Sequence, residues 1–295
     1  MKYDYDCVVI GAGIAGMTSA IFLKRYNLNV LLLDKGEPGG LLNKISLIEN
    51  YPGFSSIKGV DLAKKIYEQV KENKVEFKHG NVLKIDGHKI MTDIGELTTN
   101  KIIIATGRKP RKIKENMQYK NLSYNAVDNV DCYKDKVVAV VGGGNSALEE
   151  SIYLSKYCKE VIIINRSNKL RADEVVKKQI DEISNIRLIL ECSISDIKSN
   201  DDFIYLIETN KGNYEIDALF SFIGYEPSVS FFDNIAMDNN YIIVDSNMKT
   251  NVDNIYACGD IIKKDLYLLT TAVGEATLAA LNVKKDINEE NRTNM

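Results

Sequence analysis

The sequence contains no tryptophan, only two histidines (His79 and His88), four prolines and five cysteines. The cysteines, Cys7, Cys132, Cys158, Cys192 and Cys258, form no Cys-x-x-Cys pair and share no metal-ligand spacing with the histidines. That pattern argues against a disulfide scaffold and against a zinc site; no metal is expected. No stretch reaches the ~18 uninterrupted apolar residues of a membrane helix. The nearest, VVIGAGIAGMTSAIFL, is broken by Gly11, Gly13 and Gly16. A net charge of −3 leaves no basic footprint for nucleic acid, so neither a membrane nor DNA or RNA is an expected partner. The opening MKYDYDCVVIGAG is acidic where a secretory signal is basic, and a cytoplasmic location is expected.

What the chain does have is glycine in two telling places. At 295 residues it is long enough for two domains, each with its own core. The first loop, Gly11-Ala12-Gly13-Ile14-Ala15-Gly16, follows an apolar strand and precedes a helical pattern. A second buried strand, NVLLLD, then ends in Asp34. A carboxylate there can accept from an adenosine ribose, while the glycines let backbone reach a pyrophosphate at the helix start. The second loop, Gly142-Gly143-Gly144-Asn145-Ser146-Ala147, repeats the arrangement, and its next strand, EVIIINR, ends at Asn165, as far from Gly142 as Asp34 is from Gly11. Equal spacing reads as an internal repeat. Here neutral Asn165 replaces the carboxylate and Arg166 and Arg171 follow, the change a 2′-phosphate requires. The first loop therefore suits FAD, and the second suits NADPH better than NADH.

Each loop unit is followed by short alternating strands, residues 75 to 98 and 187 to 217, expected as meanders on the back of a parallel sheet. Each then ends in an apolar strand running into glycine, KIIIATG at Gly107 and LFSFIG at Gly224, with Pro110 and Pro227 marking hinges just beyond. The expected fold is α/β: two Rossmann-like, three-layer dinucleotide-binding domains, the second inserted in the first. Residues 1–111 and 226–295 form the FAD-binding domain and 112–225 the NAD(P)H-binding domain. Near the end, NIYACGD places Gly259 and Asp260 before a last helix, where they could hold a flavin ribitol.

The segments GAGIAGMTSAIF, GGLLNKISLIENYPGF, IIIATGRKPR, VVGGGNSALEES, NRSNKLRAD and IYACGD together resemble the low-molecular-weight thioredoxin reductase family of flavoproteins, over nearly the whole chain. The resemblance implies FAD contacts from Gly11, Gly13, Gly16, Asp34, Gly40, Leu42, Asn50, Thr106, Gly107, Gly259 and Asp260. It implies NADPH contacts from Gly144, Asn145, Ser146, Arg166 and Arg171, and a homodimer formed through the FAD domains. Three departures bear on activity. Counting back from VAVVGGG, the family's two redox cysteines fall on Asn125 and Asp128, so the disulfide is missing, and Cys132 reads as an ordinary buried or loop cysteine. Ser167 stands where the family carries a second phosphate-binding arginine, and Tyr267-Leu268 stand where it carries Arg-Gln.

The expected function is an FAD-dependent oxidoreductase that moves electrons between NAD(P)H and an external acceptor without an internal disulfide. Ferredoxin or flavodoxin, one-electron carriers, are the expected acceptors. The basic cluster Arg108, Lys109, Arg111, Lys112 and Lys114 is either a dock for an acidic carrier or a solvated hinge. Asp128 is the candidate catalytic residue, supplying or tuning a proton at the flavin, against a purely structural role as a helix cap. Two alternatives stand beside this reading: a ferredoxin-linked flavoenzyme of the same family that uses no pyridine nucleotide, and a non-catalytic flavin/NADP redox sensor.

Overall fold

The computed structural model describes residues 3–113, 117–127, 130–228 and 234–293. The chain divides into two compact units: Met1–Asn43, Ile48–Lys109 and Glu226–Met295 form one, Lys44–Leu47 and Pro110–Tyr225 the other.

The first unit begins with β1 (Tyr5–Ile10), whose residues are almost all buried, as expected for a central parallel strand covered on both faces. Helix α1 (Ile14–Arg25) and β2 (Val30–Asp34) complete the first β-α-β turn, with Cys7 to Ile10 aligned against Val30 to Leu33. A 3-10 turn (Gly40–Lys44) follows, then the amphipathic α2 (Gly59–Glu72), which buries Leu62, Ala63 and Val70. Strand β3 (Glu76–His79) pairs in parallel with β2. Strands β4 (Val82–Asp86) and β5 (Lys89–Thr92) are antiparallel, and β6 (Gly95–Ile104) pairs with β5 through its first half and with β1 through its second.

Of residues 75 to 98, β4, β5 and the first half of β6 form the expected antiparallel meander, with Val82 and Ile90 packed with Val8, Ile10, Leu31 and Leu33 of the parallel strands; only Glu76–His79 departs from it. Glu76–His79 extends the parallel sheet, and β4 and β5 continue that sheet by pairing onto β6. The reason is the length of β6: ten residues reach past the edge of the parallel pairing and offer free backbone to β5.

The chain leaves through β7 (Arg108–Pro110). In the second unit, β8 (Leu122–Ser123), β9 (Val137–Val141), α3 (Asn145–Ser155), β10 (Glu160–Ile164), α4 (Glu174–Glu182) and β11 (Ile186–Ile189) come in order. Strands β12 (Ile194–Asn200), β13 (Phe203–Thr209) and β14 (Gly212–Glu215) form a separate antiparallel sheet before β15 (Ala218–Ser221) returns to the parallel one, ordered β11-β10-β9-β15-β8. One face of that sheet packs Val138, Val140 and Phe220 against Leu148 and Leu154 of α3 and Ile180 of α4. Its other face packs Ala139, Ile162 and Leu219 against Ile197, Ile204 and Ile207 of the meander. This is the three-layer arrangement, and here the alternation of the strand residues across the two faces produces it.

Strand β16 (Tyr225–Pro227) pairs with β7, so the two connections run side by side. The first unit then gains the hairpin β17 (Met237–Asp238) and β18 (Tyr241–Ile242), and β19 (Ile255–Ala257), which joins β6 in parallel. A 3-10 turn (Gly259–Ile261) and the long α5 (Leu269–Thr293) end the chain. In each unit the glycine loop leaves the carboxyl end of a central parallel strand, where open α/β sheets bind ligands. Among the described residues, no helix is long and apolar enough to cross a membrane.

Candidate cofactor sites

Three glycines of the first loop have different reasons to be glycine. Gly11 has φ +105°, and a Cβ there would lie 2.4 Å from the Ala105 carbonyl oxygen. A Cβ on Gly16 would lie 1.7 Å from the Gly11 carbonyl oxygen, because α1 packs directly on the loop. Gly13 is different: a Cβ would meet nothing within 4 Å. Gly13 is also the N-cap of α1, with no side-chain cap bond, so the first N–H groups of the helix face that open space. Glycine here keeps room for an approaching group, and that space and its donors fit a pyrophosphate.

Asp34, at the end of β2, accepts from the Ala12 N–H at 2.5 Å through one oxygen and from the Gly36 N–H at 2.8 Å through the other. Its carboxylate pins the loop and retains lone pairs for a ribose hydroxyl. Gly40 has φ +54° and approaches the Gly13 Cα, with a Cβ position 3.4 Å from it; Leu42 below is buried, and Asn50 is exposed. The Thr106 hydroxyl donates to the Ser228 carbonyl at 2.9 Å, and Gly107 has φ +63° with open space at its Cβ position. Gly259, φ +78°, packs so closely on α1 that a Cβ would lie 2.7 Å from that of Ala15. That contact sets Asp260 next to the glycine loop.

Around Asp260 lies a group that motif reading did not find. Arg108 donates to Asp260 Oδ2 from Nε at 3.0 Å and Nη2 at 2.7 Å, and its guanidinium lies 4.2 Å from the centroid of the Tyr267 ring. Lys264 is 3.6 Å from Asp260 Oδ1 and donates to both oxygens of Glu275, at 3.0 and 2.8 Å. Glu275 accepts also from the Gly259 N–H at 3.0 Å. Burial raises the Glu275 carboxyl above its usual value, against the pull of Lys264. Arg108 therefore places an arginine on the ring of Tyr267, one of the two residues that replace Arg-Gln. The available signal was the basic side chain immediately after Gly107 in ATGRKPR.

The second loop repeats the design with other partners. Gly142 has φ +144°, and a Cβ would lie 2.5 Å from the Phe222 carbonyl oxygen, while Gly144 faces open space as the uncapped N-cap of α3. Asn145 is paired twice with Asp173: its Nδ2 donates to Oδ2 at 2.9 Å, and its Oδ1 accepts from the Asp173 N–H at 2.7 Å. Ser146 follows in the first turn of α3. Arg171 donates its backbone N–H to the Gly143 carbonyl at 2.7 Å, drawing the segment after β10 onto the loop. The Arg166 and Arg171 side chains are exposed at that edge. Open backbone donors and two cations fit a phosphorylated dinucleotide.

Asp128 lies outside the described residues. Cys132 is exposed on a 3-10 turn (Val130–Tyr133), so of the expected alternatives, buried or loop, it takes the loop. The other four cysteines are buried, and burial pushes the Cys158 thiol up to about 11 and the Cys258 thiol up to about 12. Among the described residues, no group of three or more His, Cys, Asp and Glu side chains is placed to hold a metal ion. Glu150, on α3, is 5% exposed, and burial pushes its carboxyl up to about 7. Its Oε1 accepts from the Ser46 hydroxyl at 3.0 Å and the Ser46 N–H at 3.3 Å, while Oε2 has no partner.

Two glycine-loop α/β units, each with its loop at the carboxyl edge of a parallel sheet, define a dinucleotide-dependent oxidoreductase fold. The pyridine nucleotide-disulphide oxidoreductase family model matches residues 5–276, and the chain belongs to that family. It is 35% identical over 301 residues to a thioredoxin reductase of Listeria monocytogenes, covering 97% of this chain and 94% of that protein. It is 33% identical over 305 residues to one from Bacillus subtilis, covering 98% and 96%. Among solved structures, the thioredoxin reductase of Lactococcus lactis superposes with a TM-score of 0.91 at 34% identity, over 97% of this chain and 100% of that one. The T. acidophilum thioredoxin reductase gives 0.90 at 29% identity, over 97% and 99%. Thioredoxin reductases of this family use FAD and NADPH, the two cofactors that the two loops fit.

Proposed function

We propose that this protein is an NADPH-dependent FAD oxidoreductase that delivers electrons to an external one-electron carrier, such as a ferredoxin or flavodoxin, and not to a disulfide of its own. The observation that carries this reading is the pairing of two intact nucleotide loops with the absence of any Cys-x-x-Cys pair. FAD, when bound, accepts two electrons together and can release them singly. The chain's own residues then have distinct tasks. Gly13 and the first N–H groups of α1 receive the pyrophosphate, and Asp34 orients the ribose. Asp260, held by Arg108, receives the ribitol. In the second unit the N-terminus of α3 takes the NADPH pyrophosphate and Arg166 and Arg171 take the 2′-phosphate. By the count back from VAVVGGG, Asp128 takes the sequence position of one of the family's two redox cysteines, and the task assigned to it is to supply or tune a proton at the flavin. Lys109, Arg111 and Lys112 favour an acidic carrier. The working form is a homodimer.

The test is anaerobic addition of NADPH, then NADH, while the flavin absorbance is followed, and afterwards addition of ferredoxin, flavodoxin or thioredoxin. Bleaching by NADPH and reoxidation by a one-electron carrier, with thioredoxin inert, is the expected result. Turnover of thioredoxin would overturn the acceptor. Flavin that is reduced by ferredoxin and never by nucleotide would favour the alternative already set out, in which the nicotinamide site is not used.

A further inference from the structure

We propose that Asn165 is a positioning residue that sets nucleotide choice at the second loop, by stapling the segment 166–171 in one shape while bringing no negative charge to it. This rests on reading the second unit as the nicotinamide-nucleotide domain. The side chain sits at the end of β10, 7% exposed. Its Nδ2 donates to the Ser167 carbonyl at 2.9 Å, the Ser167 hydroxyl at 3.1 Å and the Lys169 carbonyl at 3.2 Å. Its Oδ1 lies against Gly143, so close that a Cβ on that glycine would be 2.4 Å away. One amide therefore joins the glycine loop on one side to the post-strand segment on the other.

The comparison with the first unit makes the difference chemical. Asp34 occupies the corresponding place and spends its carboxylate on two backbone N–H groups, Ala12 and Gly36. Asn165 faces oxygens, two of them carbonyls, and only a donor fits there. A carboxylate at 165 would be turned against those carbonyls and would lose the staple. The Ser167 hydroxyl is likewise consumed, donating to the Lys169 carbonyl at 2.6 Å. Ser167 thus does not replace the missing arginine as a phosphate ligand; it serves the staple. With Arg171 N–H tied to the Gly143 carbonyl at 2.7 Å, the two arginines project from a closed, uncharged loop. The ligand class this favours is an adenine nucleotide bearing a 2′-phosphate.

Adenosine 2′,5′-bisphosphate and adenosine 5′-monophosphate, which differ only in the 2′-phosphate, are the probes, titrated calorimetrically into the FAD-loaded protein. The wild type is expected to prefer the bisphosphate by on the order of tenfold. Asn165→Asp and Asn165→Ala should each lose that preference while holding the monophosphate affinity and FAD content near wild type, and Asn165→His, which restores a donor, should recover part of it. Retention of the full preference in both Asp and Ala variants overturns the proposal. A wild type that binds neither probe and is not bleached by NADPH instead overturns the reading of the site. Should the variants fail to fold, hydrogen exchange on the wild type decides: the bisphosphate, and not the monophosphate, should protect the amides of residues 165 to 171, and equal protection would sink the idea.

Discussion

Arg108 and Asp260 are 152 positions apart in the chain, and two guanidinium nitrogens converge on one carboxylate oxygen, at 3.0 and 2.7 Å. Both side chains are mostly buried, at 16% and 22% exposure. Removing one partner leaves the other charged and poorly solvated. Arg108→Ala and Asp260→Ala should each destabilise the protein by about 1–3 kcal/mol. The double variant should cost less than the sum of the two, by at least about 0.5 kcal/mol. Denaturant unfolding of the four proteins checks this; strict additivity would show that the pair contributes nothing.

Gly11 and Gly13 should separate folding from cofactor binding. At Gly11, with φ +105° and a backbone carbonyl 2.4 Å from the Cβ position, alanine should cost more than about 2 kcal/mol in stability. At Gly13, with nothing near the Cβ position, aspartate is free to cap α1 and should leave the apoprotein within about 0.5 kcal/mol of wild type or better. Its charge would occupy the pyrophosphate's place. FAD affinity should fall on the order of a hundredfold or more, from lost donors and like-charge repulsion. Melting curves of the apoproteins and flavin titrations report the two effects independently.

The thiols give a simple count. Cys132 is exposed, whereas Cys7, Cys158, Cys192 and Cys258 are buried. Burial holds Cys7, Cys158 and Cys258 in the protonated, unreactive form. A chromogenic disulfide reagent should label one cysteine rapidly in the native protein and all five after denaturation. Cys132→Ser should abolish the fast phase and leave NADPH-driven reduction of carriers within about twofold of wild type, since a lone exposed thiol has no part in the proposed electron path. Loss of carrier reduction would reinstate thiol chemistry.

Glu150 should write its signature in the pH dependence of stability. Its carboxyl titrates at about 7 in the folded protein against 4.5 as the ordinary value, so between those limits the native state binds the extra proton. Stability from this residue is therefore full below pH ~4.5, falls as pH rises, and is flat above pH ~7, a change on the order of 3 kcal/mol. Glu150→Gln should remove that slope and gain most at pH 8. Denaturant midpoints for both proteins across pH 5 to 8 provide the check, and parallel curves would refute it.

Much of this organisation is legible in the residues. The glycine loops and their matching distances to Asp34 and Asn165 are local patterns, fixed by sterics within one β-α-β turn, and Gly107, Gly224 and Gly259 are legible as the glycines that end apolar strands. Strand β3 and the long β6 were not legible in the same way, because Glu76–His79 carries little aliphatic character and is held beside β2 by backbone pairing together with polar and aromatic contacts from Tyr5 and Tyr67. Arg108 was seen as basic and not as a partner of Asp260, since nothing in sequence measures a contact across such a separation. Asn165 was read by its charge, while its work lies in the direction of its amide, which only the folded segment 165–169 defines.

The outer sheet is left unfinished by its own first half. Strand β19, which completes it beside β6, is encoded after the entire inserted unit. During synthesis the inner unit emerges whole, able to close its sheet, while the outer one still waits for β19 and α5. The outer core therefore has the greater loop-closure cost and the later birth. A stalled or truncated chain ending near residue 250 would carry a finished nucleotide module tethered to an exposed aliphatic strand edge at Ile102–Ile104.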